Sequence, residues 1–253
     1  MRAMSSTTGI APHTAALMAA VCSDINQYGS TFYFTPETVA VGKEHGLDGF
    51  RFYFLGRGGV LGDVEAPVIA SAFGWWSPEL VTKMWNTSRD KMAPRDAGRL
   101  YLKCAQDHGR ARLANVEGLA DFCTGAEQII AATDPAGLTL YAGLAAEPLA
   151  DDLPGRAMQL LATLRELRGS AHIMAVLASG LSPKMAHVIK RPDMIKSFGW
   201  GEDPIPATDA QQAQLQAAEH LTDQMVAPSF SAIPADQEAA FVQALQNICV
   251  ALR

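Results

Sequence analysis

The sequence has no run approaching the roughly 20 uninterrupted apolar residues that a membrane-spanning helix requires, although 49% of its 253 residues are hydrophobic. The apolar residues are dispersed, so they are free to form a core, and a chain of this length can bury a large one as one domain or two. Charge is also sparse, at 18% of residues, which with this hydrophobic content excludes a disordered chain. The segment Met1 to Thr14 has one arginine and no apolar h-region, so it does not read as a secretory signal and a cytoplasmic placement is expected.

Site chemistry is thin as well. Cys22, Cys104, Cys123 and Cys249 form no CxxC pair and have no histidine at metal-ligand spacing, which predicts free buried thiols. His13, His45, His108, His172, His187 and His220 are far apart, and no HExxH or ExxH motif links them, so no metal site is predicted. There is no Gly-x-Ser-x-Gly elbow. Gly56-Arg57-Gly58-Gly59 lacks both the GxGxxG spacing and a following Lys-Ser/Thr, so it reads as a sharp turn and no cofactor can be named. Bases are scarcest at the C-terminal end. From Asp193 to Arg253 there are eight acids against Lys196 and Arg253, a balance equal to the whole net charge of −6. Such a surface would repel a phosphate backbone, which makes nucleic acid an unexpected partner.

Helix signals, by contrast, recur along the chain. Thr35-Pro36-Glu37, Ser77-Pro78-Glu79 and Ser182-Pro183 each place a hydroxyl cap before a proline at the first helical position. The first of these helices would stop at Gly46. Periodicity predicts further helices over about 12–28, 65–74, 78–86, 95–107, 110–132, 154–168, 170–179, 183–190, 209–226 and 236–252. Phe50 to Leu55 has the aromatics and alternation of a strand, but its helical surroundings favour a helix. Gly137 to Leu153, with Pro148 and Asp151-Asp152, is the expected boundary between domains over 1–148 and 149–253. The expected class is mainly α, with many helices in two parts.

Several segments, in order, are similar to a family of actinobacterial helix-turn-helix, or winged-helix, proteins. They are Phe32-Tyr33-Phe34-Thr35-Pro36-Glu37, Gly46-Leu47 through Phe50 to Gly56-Arg57-Gly58-Gly59-Val60-Leu61-Gly62, and Ala72-Phe73 to Ser77-Pro78. Leu164-Arg165-Glu166-Leu167-Arg168-Gly169-Ser170-Ala171-His172 and Leu221-Thr222-Asp223 complete the set. The resemblance implies a winged-helix-related C-terminal half, with a recognition helix and wing after the Gly-Trp element. Here Gly199-Trp200-Gly201 runs through Glu202-Asp203-Pro204-Ile205-Pro206 directly into the helix near Asp209, so the half is expected to be degenerate and its reading helix lost. The resemblance also implies a histidine near Gly29, a place this chain leaves empty or passes to Tyr28.

Three residue groups carry candidate chemistry. Arg51 and Arg57, expected on one face of a helix flanking Tyr53, would converge on an anion, or else pair with an internal acid such as Glu37 or Glu65. Arg165, Arg168 and His172 share a face if their helix runs through Gly169, with His172 a proton-transfer candidate beside Tyr53 or else a satisfied core histidine. Tyr33, Trp75 and Trp76 offer flat surfaces for a ligand or a core, and on a helix adjacent tryptophans could not enter the same face. Together these predict a small-molecule-binding protein, with a cofactor-independent enzyme of the lyase, isomerase or cyclase type as its leading form. It would hold a small organic ligand, an anion among the options, on Arg51, Arg57, Tyr33, Trp75, Trp76, Arg165 and Arg168, with His172 and Tyr53 as catalytic residues. The alternative is a ligand-responsive helix-turn-helix transcriptional regulator. A third reading is an interaction protein in which helix 236–252 forms a homodimer seam.

Overall fold

The computed structural model describes residues 9–201 and 206–253. Proline-started helices begin where the hydroxyl caps are: Thr35 Oγ1 accepts from the Thr38 amide at 3.2 Å, Ser77 Oγ from Leu80 at 3.2 Å and Ser182 Oγ from Met185 at 3.1 Å. Asp48, Asp152 and Thr208 cap three more helices in the same way.

The described residues form helices α1 (Pro12–Tyr28), α2 (Pro36–Glu44), α3 (Gly49–Gly59), α4 (Ala66–Phe73), α5 (Pro78–Arg89) and α6 (Pro94–Leu113). There follow α7 (Leu119–Ala131), α8 (Thr139–Ala145), α9 (Leu153–Ala178), α10 (Pro183–Lys190), α11 (Asp209–Phe230) and α12 (Glu238–Ala251), with one 3₁₀ turn at Pro192–Met194. No strand occurs among them, and Phe50 to Leu55 lies in α3. No helix among the described residues is long and apolar enough to cross a membrane.

Helix α9 is the axis. Its 26 residues span about 39 Å, and it is buried on nearly every side, by α1, α6, α7, α8 and α11. Gly169 does not interrupt it, so the two helices expected over 154–168 and 170–179 are one. The single helix expected over 110–132 is instead two, because the chain breaks before Gly118, whose φ of 84° is the left-handed conformation glycine tolerates. Helix α8 lies within the segment read as a boundary and was missed. The principal core runs from Leu17 to Leu252, and a smaller cluster of Ala175, Val176, Leu181, Ala186, Leu215 and Ala218 seats α10 on the end of α9 and the start of α11.

A four-residue turn, Ser179 to Ser182, joins α9 to α10. Gly180, at φ 75°, supplies the left-handed residue that ends α9, and the Leu181 amide returns to the Val176 carbonyl at 3.1 Å. Ser182 then caps α10 at once, so the turn is fixed from both ends. Glu202 to Ile205, part of the stretch where a reading helix was sought, lies outside the described residues.

Candidate functional site

A cleft of about 300 Å³ opens between α3, the turn from α4 to α5, α9 and α10. Its base is ionic. Glu166, on α9, is buried, and its Oε1 accepts from Tyr33 Oη at 2.9 Å, Arg57 Nε at 2.9 Å and Arg165 Nη1 at 3.0 Å, while Oε2 accepts from Arg57 Nη2 at 2.8 Å. Arg57 also donates to Tyr53 Oη at 3.0 Å and lies over the Phe73 ring, 4.5 Å from its centre. Burial alone would raise the Glu166 pKa, but Arg57 and Arg165 overcome it and hold the carboxyl at about 2. Two guanidinium groups on one carboxylate leave an excess positive charge under the floor.

Above it, on α9, Arg168 Nη2 reaches Glu219 at 3.2 Å and Asp223 at 3.3 Å. His172 Nδ1 lies 2.8 Å from Thr222 Oγ1, and that hydroxyl donates to the Ala218 carbonyl at 2.7 Å. The Thr222 proton is thereby spoken for, so the histidine is the donor and its neutral tautomer carries the hydrogen on Nδ1. Burial, reinforced by Lys190 and Arg168 and opposed by Glu219, holds the His172 pKa well below its usual 6.5. A histidine kept neutral in the fold takes up a proton more readily when unfolded, so its contribution to stability is complete above pH 6.5 and is lost as pH falls below it. His172→Asn, which keeps the bond to Thr222, is therefore expected to lose about 1–2 kcal/mol less stability than the parent between pH 7 and pH 5. Urea unfolding at the two pH values checks this, and equal losses would show that His172 titrates as it does in the unfolded chain.

The walls are aromatic. Trp75 stacks on His172 with centroids 5.2 Å apart, Trp76 on Phe198 at 3.9 Å, and Phe198 meets His187 of α10 at 4.1 Å. The segment carrying Phe198 is tied to the α4–α5 turn, since the Ser77 amide donates to the Phe198 carbonyl at 2.9 Å and Trp200 Nε1 to that of Trp75 at 2.8 Å. Both tryptophans face the cleft because they lie in that turn and not on a helix, so the 100° separation of helical neighbours does not divide them.

The structure thus brings Tyr53, Arg57, Trp75, Trp76, Arg165, Arg168 and His172 to one cleft. Tyr33 sits beneath it against Glu166, and its hydroxyl also accepts from Arg165. Arg51 is elsewhere, paired with Asp48 at the start of α3 and bonded to Thr87. Six positions amount to 600° of helical rotation, which separates Arg51 from Arg57 by 120°, so the expected convergence fails on geometry. The internal acid that answers Arg57 is Glu166, not Glu37 or Glu65. Sequence reasoning missed His187, Lys190, Arg191 and Phe198 as cleft residues and Glu166 as the acid beneath them. His187 and Lys190 did carry a signal, because their i, i+3 spacing puts them on one side of a helix that the Ser182-Pro183 cap had located. Tyr28 accepts a bond from Arg253 at 3.2 Å instead of facing the cleft. The four cysteines are free, and burial pushes each thiol up, to about 11 for Cys22 and Cys104 and about 12 for Cys123 and Cys249.

A model of a helix-turn-helix family matches residues 18–253. No curated protein and no solved structure matches the chain. The family match overturns two expectations, that the protein is a small-molecule enzyme and that nucleic acid is an improbable partner; it points to a DNA-binding regulator. The second error has a physical source. The stretch from Asp193 starts just after α10, so its charge balance leaves out that helix with Lys184, Lys190 and Arg191.

Proposed function

Since the chain belongs to the helix-turn-helix family, we propose that it is a DNA-binding regulator whose reading element is α9, its turn and α10, with the cleft behind α10 as an effector site. The family match over nearly the whole chain carries this reading. A helix-turn-helix lays its second helix in the major groove, with residues near that helix's N-terminus at the base edges and basic neighbours on phosphate. Helix α10 has eight residues, about 12 Å or two turns, and the major groove is wide enough to admit a helix. Its start exposes Ser182 and Lys184, and its end exposes Lys190 and Arg191. Ala186, His187 and Val188 turn inward. One short helix therefore serves as outer surface and as cleft wall, and it rests on a separate small cluster, so a bound effector acts on the reader directly.

The test is fluorescence anisotropy with labelled duplexes tiling the DNA upstream of the protein's own coding sequence, at 50 and 200 mM salt. One duplex is expected to bind well above the rest. Lys184→Ala with Arg191→Ala is expected to weaken that binding at least tenfold and to lower the salt slope by about 2, one for each lost phosphate contact. Equal binding to all duplexes, or a double variant with unchanged affinity, would end the assignment of α10 as reader.

A further inference from the structure

We infer that the cleft behind α10 is a receptor for a small aromatic carboxylate, a planar ring system bearing one negative charge. Its effect on DNA binding rests on the regulator reading above; its binding does not.

Arg57, Arg165, Arg168, Lys190 and Arg191 line the cleft, and among the described residues no Asp or Glu does. The acids that answer these cations are Glu166, Glu219, Asp223 and Asp193, four against five, which leaves one positive charge in excess. A low-dielectric wall makes that excess felt by a monoanion. Among the described residues, two buried polar atoms of lining side chains make no hydrogen bond to nitrogen or oxygen: Arg168 Nε, on a guanidinium that also pairs with the Cys22 thiol of α1, and His187 Nε2, on a side chain that is 7% exposed. Buried polar groups are rarely left unpaired, because each costs about 1–3 kcal/mol. Burial, with Arg191 beside it, lowers the His187 pKa, and an imidazole N–H donates a hydrogen bond to a carboxylate whether or not the ring is charged. A carboxylate presents two oxygens to such donors.

The rest of the wall selects against a hydrated inorganic anion. Trp75, Trp76 and Phe198 line it with apolar ring surface, Trp76 stacked on Phe198 and Trp75 on His172, and the volume is at the lower end for organic ligands, which suits one or two fused rings. Gly169 supplies the opening. A Cβ built there meets nothing within 4 Å, in the middle of a helix where alanine would be favoured.

The probe is 2-naphthoate, titrated into the full chain while tryptophan fluorescence and calorimetric heat are followed, with the neutral 2-naphthamide and inorganic phosphate as comparators. Saturable quenching by naphthoate is expected, with naphthamide at least tenfold weaker and phosphate without effect on the fluorescence. Gly169→Met, whose side chain would enter the cleft, and Arg168→Gln are each expected to weaken naphthoate at least tenfold, with melting temperatures reported alongside to confirm folding. Naphthoate and naphthamide binding alike would overturn the anion requirement, and affinity untouched by Gly169→Met in a folded variant would place the site elsewhere. Phosphate binding as tightly as naphthoate would overturn the aromatic requirement. Repeating the anisotropy assay with saturating naphthoate separates the two readings: binding in the cleft with DNA affinity unchanged supports the receptor and overturns its role as effector site.

Discussion

Glu166→Gln is expected to cost about 3–5 kcal/mol of folding stability, one of the two largest losses available from a single side chain here. The substitution keeps the shape and one acceptor oxygen but removes the charge that answers Arg57 and Arg165, both largely buried. It also sets an amide NH₂ toward a guanidinium that donates at 2.8–2.9 Å in the parent. The cost comes from stranding cations already desolvated, more than from the attraction lost. Arg57→Met added to Glu166→Gln should therefore recover part of the loss. The pH dependence carries the same signature. The folded carboxyl titrates at about 2 against 4.5 when unfolded, so its contribution is complete above pH 4.5 and disappears as pH falls toward 2. The gap between parent and variant in urea unfolding should narrow across that window. A loss under 1 kcal/mol at pH 7, or a gap indifferent to pH, would mean that the pair is solvated and the floor of the cleft is not preorganised.

How much of this could be read from the letters depends on the range of each interaction. Helix starts at Thr35, Ser77 and Ser182 were legible because a cap acts over three residues. The mainly α class followed from periodicity alone, whereas the continuation that puts Arg165, Arg168 and His172 on one face was only a condition, since two helices broken at Gly169 were expected. Glu166 was not legible as the partner of Arg57, since 109 residues separate them and no local pattern joins them. Gly169 looked like a breaker because an isolated glycine weakens a helix, yet packing around α9 on both sides of it overrides about 1 kcal/mol of propensity. The Trp75-Trp76 pair was read on a helix when it sits in a turn, so the right residues were singled out for the wrong reason. Nucleic acid was set aside as a partner through a sum taken over the wrong window, since charge acts where it lies on a surface and not where it falls in a sequence.

Gly59→Ala is the second large effect, and its contrast with Gly169→Ala makes it informative. Helices α3 and α6 cross with their backbones in contact at Gly59 and Gly98. A Cβ on Gly59 would lie 2.0 Å from the Pro94 carbonyl oxygen and 2.8 Å from the Gly98 nitrogen, and both atoms are backbone that cannot rotate away. The helices must separate by roughly an ångström, in an interior packed at crystal density where even an extra methylene costs about 1–3 kcal/mol. Because α3 carries Tyr53 and Arg57, that shift also lengthens the bonds to Glu166. The expected loss is about 3 kcal/mol or more, net of the roughly 1 kcal/mol that alanine gains over glycine in a helix. At Gly169 the same methyl meets open space, so only the gain remains and the variant should be more stable by up to about 1 kcal/mol. Urea unfolding of the two variants side by side decides it. If Gly59→Ala cost less than 1 kcal/mol, the crossing would be compliant, and the floor of the cleft would be set by Glu166 and its arginines without help from the close approach of α3 to α6.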